Sequence, residues 1–438
     1  VNKLKYKDFF KSSFFLAGIL YLLVVAFWFS RGDVWTTADY QVLDLFQGQA
    51  IKSGVSSSVS PKIAAIVETD ETKKYFKQSV LDRKTYATVN NFLAQLKPKA
   101  VIYDFIFRFE EGTDSNSKFK KSLDGLQKVY LPLGLNIHDE NQYTPQEEKW
   151  NSRQLLPFMG TPIQKGKSAP IFAYPSLMPF QDFIKDDATV GHINVQSDSD
   201  GVFRHYPLLL KLELGYLPGL SFSAFLDNIN VSIDEIIVEW GKEITIPAKA
   251  KNKLEKDLVI PINKQGQVYI PYSRFWKGKE NSFKLMSLES FIEYAEDPAY
   301  IGTLREQFED TFVFISDVSQ GGKDIRRNSL GDSVPLVLLH EAFLNGLLTD
   351  SLYRNWSLAE ALILLFFIVV IFAYFANSKS ITNLYICGSL AIVGLVALTW
   401  FQFIDFRLFP LVSILGSVLF MFSGVVFGVF QKKYSIEK

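Results

Sequence analysis

Four stretches of this chain are apolar for long enough to cross a bilayer, and they bracket one long polar segment. They run over residues 12–30, 358–376, 384–403 and 408–430. A spanning helix needs roughly 20 such residues, because the hydrocarbon layer offers its backbone no water to bond with. The first run ends Ala26-Phe27-Trp28-Phe29-Ser30 and lacks an Ala-x-Ala cleavage site. It therefore reads as an uncleaved anchor rather than a secretory signal peptide.

Lysines set the orientation. Lys3, Lys5, Lys7 and Lys11 precede the first run, Lys379 sits in the loop after the second, and Lys432, Lys433 and Lys438 follow the fourth. Placing all of them in the cytoplasm satisfies the positive-inside bias. Both termini are then cytoplasmic and residues 31–356 are extracytoplasmic. The other external loop is the turn holding Asp405 and Arg407. An even number of spans requires both ends on one side, so count and charge agree.

The formal net charge is zero, so no basic excess points to a nucleic-acid partner. The single cysteine, Cys387, lies in the third apolar run. The external segment thus has neither a disulfide nor a cysteine metal site to staple it, and must be held by its own core.

Continuous apolar runs predict strands over 63–67, 100–107, 129–135 and 311–316. Between the first two, Tyr86, Val89, Leu93 and Leu96 mark an amphipathic helix over 84–96. Strand, helix, strand in that order is a crossover unit, so the sheet is at least partly parallel. A hairpin is expected from 191–195 to 202–210 about the Asp200-Gly201 turn. A helix is expected over 219–227, strands over 235–240, 258–262 and 267–270, and a last external helix over 335–348 leading directly into the second span. Residues 140–168 read as a long surface insertion. The expected fold is a mixed α/β extracytoplasmic domain with four transmembrane helices, divided as 1–30, 31–356, 357–430 and 431–438.

This order resembles the second type of CHASE domain, an extracellular sensor. The residues that carry the likeness are the strand Ile63-Ala64-Ala65-Ile66-Val67 followed by Glu68, Asp70 and Glu71; Arg83 before the first helix; Ala100-Val101-Ile102-Tyr103-Asp104; and Asp198-Ser199-Asp200-Gly201-Val202-Phe203-Arg204. To these add Phe312 to Asp317 with Gly321, Gly322, Lys323 and Asp324, and His340 with Asn345, Leu347 and Leu348. The chain departs from the pattern at Ser79-Val80-Leu81-Asp82, where the family often has tryptophan and proline, and at Ser333-Val334-Pro335-Leu336 in place of a Pro-Gly. The resemblance implies a receptor in a bacterial inner membrane. Its cytoplasmic effector would follow the last span: a class III nucleotide cyclase using Mg and ATP, a histidine kinase or a Ser/Thr kinase. The tail Gln431-Lys432-Lys433-Tyr434 resembles the segment that leads into a cyclase. A homodimer is implied, because such cyclases build their active sites between two chains. No cofactor is expected within the chain, and the stimulus is an unidentified external one.

Candidate ligand-binding residues are Asp70, Arg83, Asp104, Asp198, Asp200 and Arg204. Asp70 and Asp104 on one sheet edge would offer oxygens to a hard cation; the alternative is that each caps a turn. Arg83 and Arg204 would hold an anion or pair internally with these carboxylates. His192 and His205 flank the turn as a pH-switch candidate. His340-Glu341 begins a zinc-protease pattern, but Leu344 stands where the second histidine is needed. Gly166-Lys167-Ser168 ends a near-miss of a phosphate loop with the wrong glycine spacing. Nothing forms a nucleophile–base motif, so the rivals to a sensor are a cell-envelope enzyme and a docking protein. In the fourth span Ser413, Ser417, Gly424 and Gly428 form one stripe of small residues, a surface another helix can approach closely and a known dimer pattern.

Overall fold

The computed structural model describes residues 13–138, 152–167, 170–184, 188–249, 251–252, 254–276, 285–320, 324–377 and 381–436, the last five by backbone alone. The chain divides into two compact units, Val1–Ser56 with Arg354–Lys438, and Ser57–Tyr353.

The first unit opens with α1 (Ser13–Ser30) and α2 (Asp33–Lys52). Ser57–Tyr353 is built on a nine-stranded sheet. Its parallel part runs in the order β14 (Met286–Ser287), β1 (Ile63–Glu68), β15 (Phe312–Asp317), β2 (Ala100–Tyr103), β3 (Val129–His138), with β6 (Ala188–His192) also pairing β3 in parallel. β5 (Ile171–Leu177) pairs β3 antiparallel, and β8 (Leu209–Leu212) and β9 (Gly215–Pro218) extend that side. A second sheet joins β12 (Leu258–Pro261), β11 (Glu243–Ile246), β10 (Ile237–Glu239) and β4 (Ile163–Lys165). Two short pairs remain in this unit, β7 (His205–Pro207) with β13 (Gln267–Tyr269), and β16 (Ile325–Arg327) with β17 (Ser333–Pro335).

The strands β1, β2 and β15 are apolar at nearly every position because both faces are covered, as expected of parallel sheets. Successive side chains alternate between two cores. Ala65, Val67, Ile102, Phe312 and Phe314 face one, with α6 (Leu220–Asn228) and α9 (Val337–Leu348). Ala64, Ile66, Val101, Tyr103, Val313 and Ile315 face the other, with α4 (Arg83–Leu96), α5 (Thr113–Leu123), α7 (Leu288–Glu296) and α8 (Ile301–Phe308). The short α3 (Asp70–Phe76) follows β1 directly, started by a capping box between Thr69 and Thr72. In α4, the Asp82 carboxylate caps the Thr85 amide at 2.9 Å.

Four expectations are corrected. The Asp200-Gly201 turn forms, with Gly201 at φ 78°, but no strand hairpin surrounds it. β6 pairs β3 and β7 pairs β13, leaving one bridge between Gln196 and His205. The final external helix starts at Val337, because Pro335 closes β17, where its missing N–H costs no ladder bond. It stops at Leu348, and residues 349–357 separate it from the second span instead of a direct continuation. Of the expected insertion, residues 140–151 and 168 lie outside the described residues; residues 152–158 form a 3-10 turn whose Leu155 is fully buried, and 163–165 pair with β10.

The first unit adds α10 (Leu358–Asn377), α11 (Ile381–Ile404) and α12 (Leu411–Ile436). With α1 these are, among the described residues, the four helices long and apolar enough to span a membrane, at mean hydropathies of 2.1 to 2.7. α12 begins at Leu411, after Pro410, while Leu408 joins a two-residue strand, β19 (Arg407–Leu408), beside β18 (Arg354–Asn355). The small-residue stripe of α12 is occupied from within the chain. A Cβ on Gly424 would lie 2.7 Å from Leu20, one on Gly428 would meet Leu16, and Trp28 Nε1 donates to Ser417 Oγ at 3.0 Å. Ser413 Oγ donates to Asp39 of α2 at 2.6 Å. Within the chain the stripe admits α1 at Ser417, Gly424 and Gly428, and α2 at Ser413.

Candidate ligand-binding site

In the sheet order, β15 lies between β1 and β2, the first two strands of the domain. Loops leaving the carboxyl ends of these three strands diverge there, and such switch points are where open α/β sheets hold ligands. A cavity of about 560 Å³ opens at this edge. Another, about 620 Å³, touches Lys128 and Ala188 at the amino ends of β3 and β6, away from the switch point.

Two carboxylates form the floor of the first cavity. Glu68 ends β1 and Asp317 ends β15, directly opposite in register. Lys73, one turn into α3, binds Asp317 Oδ2 at 2.7 Å and Ser319 Oγ at 2.8 Å. Glu68 is 3% exposed and accepts the Tyr86 hydroxyl on one oxygen. Burial, reinforced by Asp317 and only partly relieved by Lys73, pushes Glu68 up to about 8. Asp317 is held below the usual carboxylate range by its bonds to Lys73 and Ser319, which outweigh its burial. Phe105, Ile106, Phe107, Val80 and Leu81 supply an apolar wall.

Arg83 reaches the same wall from the first turn of α4. Its guanidinium donates to Asn116 Oδ1 and Phe109 O and stacks over Phe183 at 5.0 Å, while Glu111 lies 3.7 Å from Nε.

A second polar group is buried at the same edge. Asp104 follows β2, His192 ends β6, Tyr206 lies in β7, and His340 and Glu341 belong to α9. The ring of Tyr206 stands 4.9 Å from that of His340 and 6.0 Å from that of His192. Burial holds both histidines neutral, pushed down to about 3. Burial pushes Glu341 up to about 8, helped by Asp104; burial does the same to Asp104, helped by Asp324. Both nitrogens of His192, Nδ1 of His340 and Oε1 of Glu341 have no hydrogen-bond partner among the described residues. Buried groups left so are costly, and they mark strain or function.

The structure distributes the sequence candidates over separate places. Asp198, Asp200 and Arg204 form one closed ion cluster. Arg204, 1% exposed, bonds Asp198 at 2.9 Å and both oxygens of Asp200 at 2.8 Å. His205 Nδ1 lies 2.8 Å from Asp198, so His192 and His205 do not form one switch. Asp70 accepts the Gln320 amide at 3.2 Å, a turn-capping role. Arg83 pairs with Glu111, not with the expected aspartates. Among the described residues no group of three His, Cys, Asp or Glu side chains is arranged to hold a metal. Of the six candidates, Arg83 alone lines the switch-point cavity. Glu68, Lys73, Tyr86 and Asp317 complete it; the usable signal was Glu68, a carboxylate closing an otherwise apolar strand.

Fold and site together define a multi-pass membrane protein that carries an α/β domain with a ligand-sized cavity at the switch point of its sheet. Comparison with family profiles matches the CHASE2 domain over residues 19–374, and the chain belongs to that sensor family. No curated protein and no solved structure was found to match it.

Proposed function

We propose that the chain is the sensory input and transmembrane signalling part of a bacterial receptor. Ser57–Tyr353 stands outside the cytoplasm and both ends lie inside, as the flanking lysines favour. The stimulus binds in the Glu68–Asp317 cavity. It acts by binding one of two states of the domain more tightly than the other, since only differential affinity moves an equilibrium. The effector is a class III cyclase acting on Mg-ATP. The observation that carries this reading is the family match, which runs from the first span through the domain into the second.

The test is a fusion. The chain, joined through Lys438 to a class III cyclase catalytic domain, is expressed in cells lacking cyclases. Filling the cavity by Leu81→Trp is expected to change cyclic-nucleotide output, and Asn252→Ser, remote from the cavity lining, is expected to leave it unchanged. Identical output from the parent and Leu81→Trp fusions overturns the reading.

A further inference from the structure

We propose that the switch-point cavity takes a small organic cation, an amine or guanidinium on an apolar or aromatic body, with its charge seated against Glu68. This rests on the reading of that cavity as the stimulus site.

Glu68 is buried to 3% exposure, yet one of its oxygens accepts no hydrogen bond from any described residue; its only side-chain partner is the Tyr86 hydroxyl. Two of the three cations of the lining are already bonded to polar partners. Lys73 holds Asp317 and Ser319, Arg83 is bound by Asn116, the Phe109 carbonyl and Glu111, and Arg108 stacks 5.0 Å over Phe109. An anion at the floor would meet the carboxyls of Glu68 and Asp317, with Lys73 and Arg83 already bonded and Arg108 exposed beside Phe109. A cation instead finds Glu68, the buried acid of this lining that has no ion pair among the described residues, beside aromatic faces that favour positive charge. The volume, about 560 Å³, suits a small molecule.

The step balances in protons. Without ligand, Glu68 carries its proton at neutral pH, because burial and Asp317 outweigh Lys73. An arriving ammonium replaces that proton: the carboxyl O–H bond breaks, the proton goes to solvent, and a carboxylate–ammonium pair remains. Binding therefore releases about one proton at pH 7.

The full chain in detergent is titrated by calorimetry with phenethylamine, benzamidine, phenethyl alcohol and phenylacetate, in buffers of different ionisation enthalpy. The two cations are expected to bind at least about tenfold more tightly than the alcohol or the acid, with proton release that fades as pH rises past about 8. Glu68→Gln, which copies the protonated acid and so keeps the fold, is expected to remove the preference for cations and the proton release. Equal or tighter binding of the alcohol or the acid, or cation binding without proton release, overturns the cation assignment and leaves the cavity as a ligand site. Binding by none of the four overturns it too, and the fusion experiment then judges the sensor reading on its own.

Discussion

Arg204 grips both carboxylate oxygens of Asp200 at 2.8 Å from a position that is 1% exposed, four residues further along the same turn. With Asp198 at 2.9 Å the guanidinium faces two carboxylates, and the three side chains fix the turn between β6 and β7. Planar two-pronged pairing is a property of arginine that lysine does not copy.

Arg204→Met therefore strips the counter-charge from two partly buried aspartates. The expected loss is about 3–5 kcal/mol, read as a lowered melting temperature of the full chain in detergent. Arg204→Lys recovers only part of it. The triple change that also makes Asp198 and Asp200 asparagine recovers more, because no unpaired charge is left behind. Equal melting of Arg204→Met and the parent would show that the cluster holds nothing.

The buried group on α9 predicts a pH signature. Glu341 sits near 4.5 when unfolded and about 8 when folded, raised by burial and by Asp104. A raised carboxyl favours the folded state fully below its unfolded value and loses that contribution as pH climbs to the folded one. Glutamine imitates the protonated form at every pH. The melting temperature of Glu341→Gln minus that of the parent should grow from about pH 5 to about pH 8 and then level off. A constant difference across that window would place Glu341 in contact with water.

His192 and His340 act in the opposite direction. Burial depresses both to about 3, so the stability they confer is present above about 6.5 and is lost as pH falls towards 3. His340→Leu exchanges a buried ring with an unpartnered Nδ1 for an apolar side chain. It is expected to make unfolding between pH 6 and 4 shallower by roughly one proton, measured as the slope of unfolding free energy in urea against pH. A slope equal to the parent's would mean that His340 is not buried neutral.

Much of the architecture was readable because its signals are local. Spans announce themselves by length and hydropathy, and β1, β2 and β15 by unbroken apolar runs that only a two-sided sheet explains. Other elements carried no such signal. α5, TDSNSKFKKSL, has two large apolar residues, Phe119 and Leu123, and its buried face is completed by Ser115, Asn116 and Ser122. The hairpin expected about Gly201 failed because the turn chemistry was right while both flanking segments found better partners in β3 and β13. The site was half legible. Arg83, a sequence candidate, lines the cavity, but Glu68 gains its place beside Asp317, some 250 residues away, through a strand order that periodicity cannot give.

The stripe on α12 shows the same limit and gives the last prediction. Small residues spaced along one face predict close approach of some helix, but not which one. Here Leu20 of α1 fills the notch at Gly424, where an added Cβ would come within 2.7 Å of it. Gly424→Val should push α1 away and lower stability in detergent by about 1–3 kcal/mol. Leu20→Ala, combined with it, should recover part of the loss, because the smaller partner makes room for the added methyls. If Gly424→Val melts with the parent, α1 does not pack on this stripe. If it melts lower and Leu20→Ala brings no recovery, the obstructed neighbour is a helix other than α1, and a second copy of the chain becomes the first candidate.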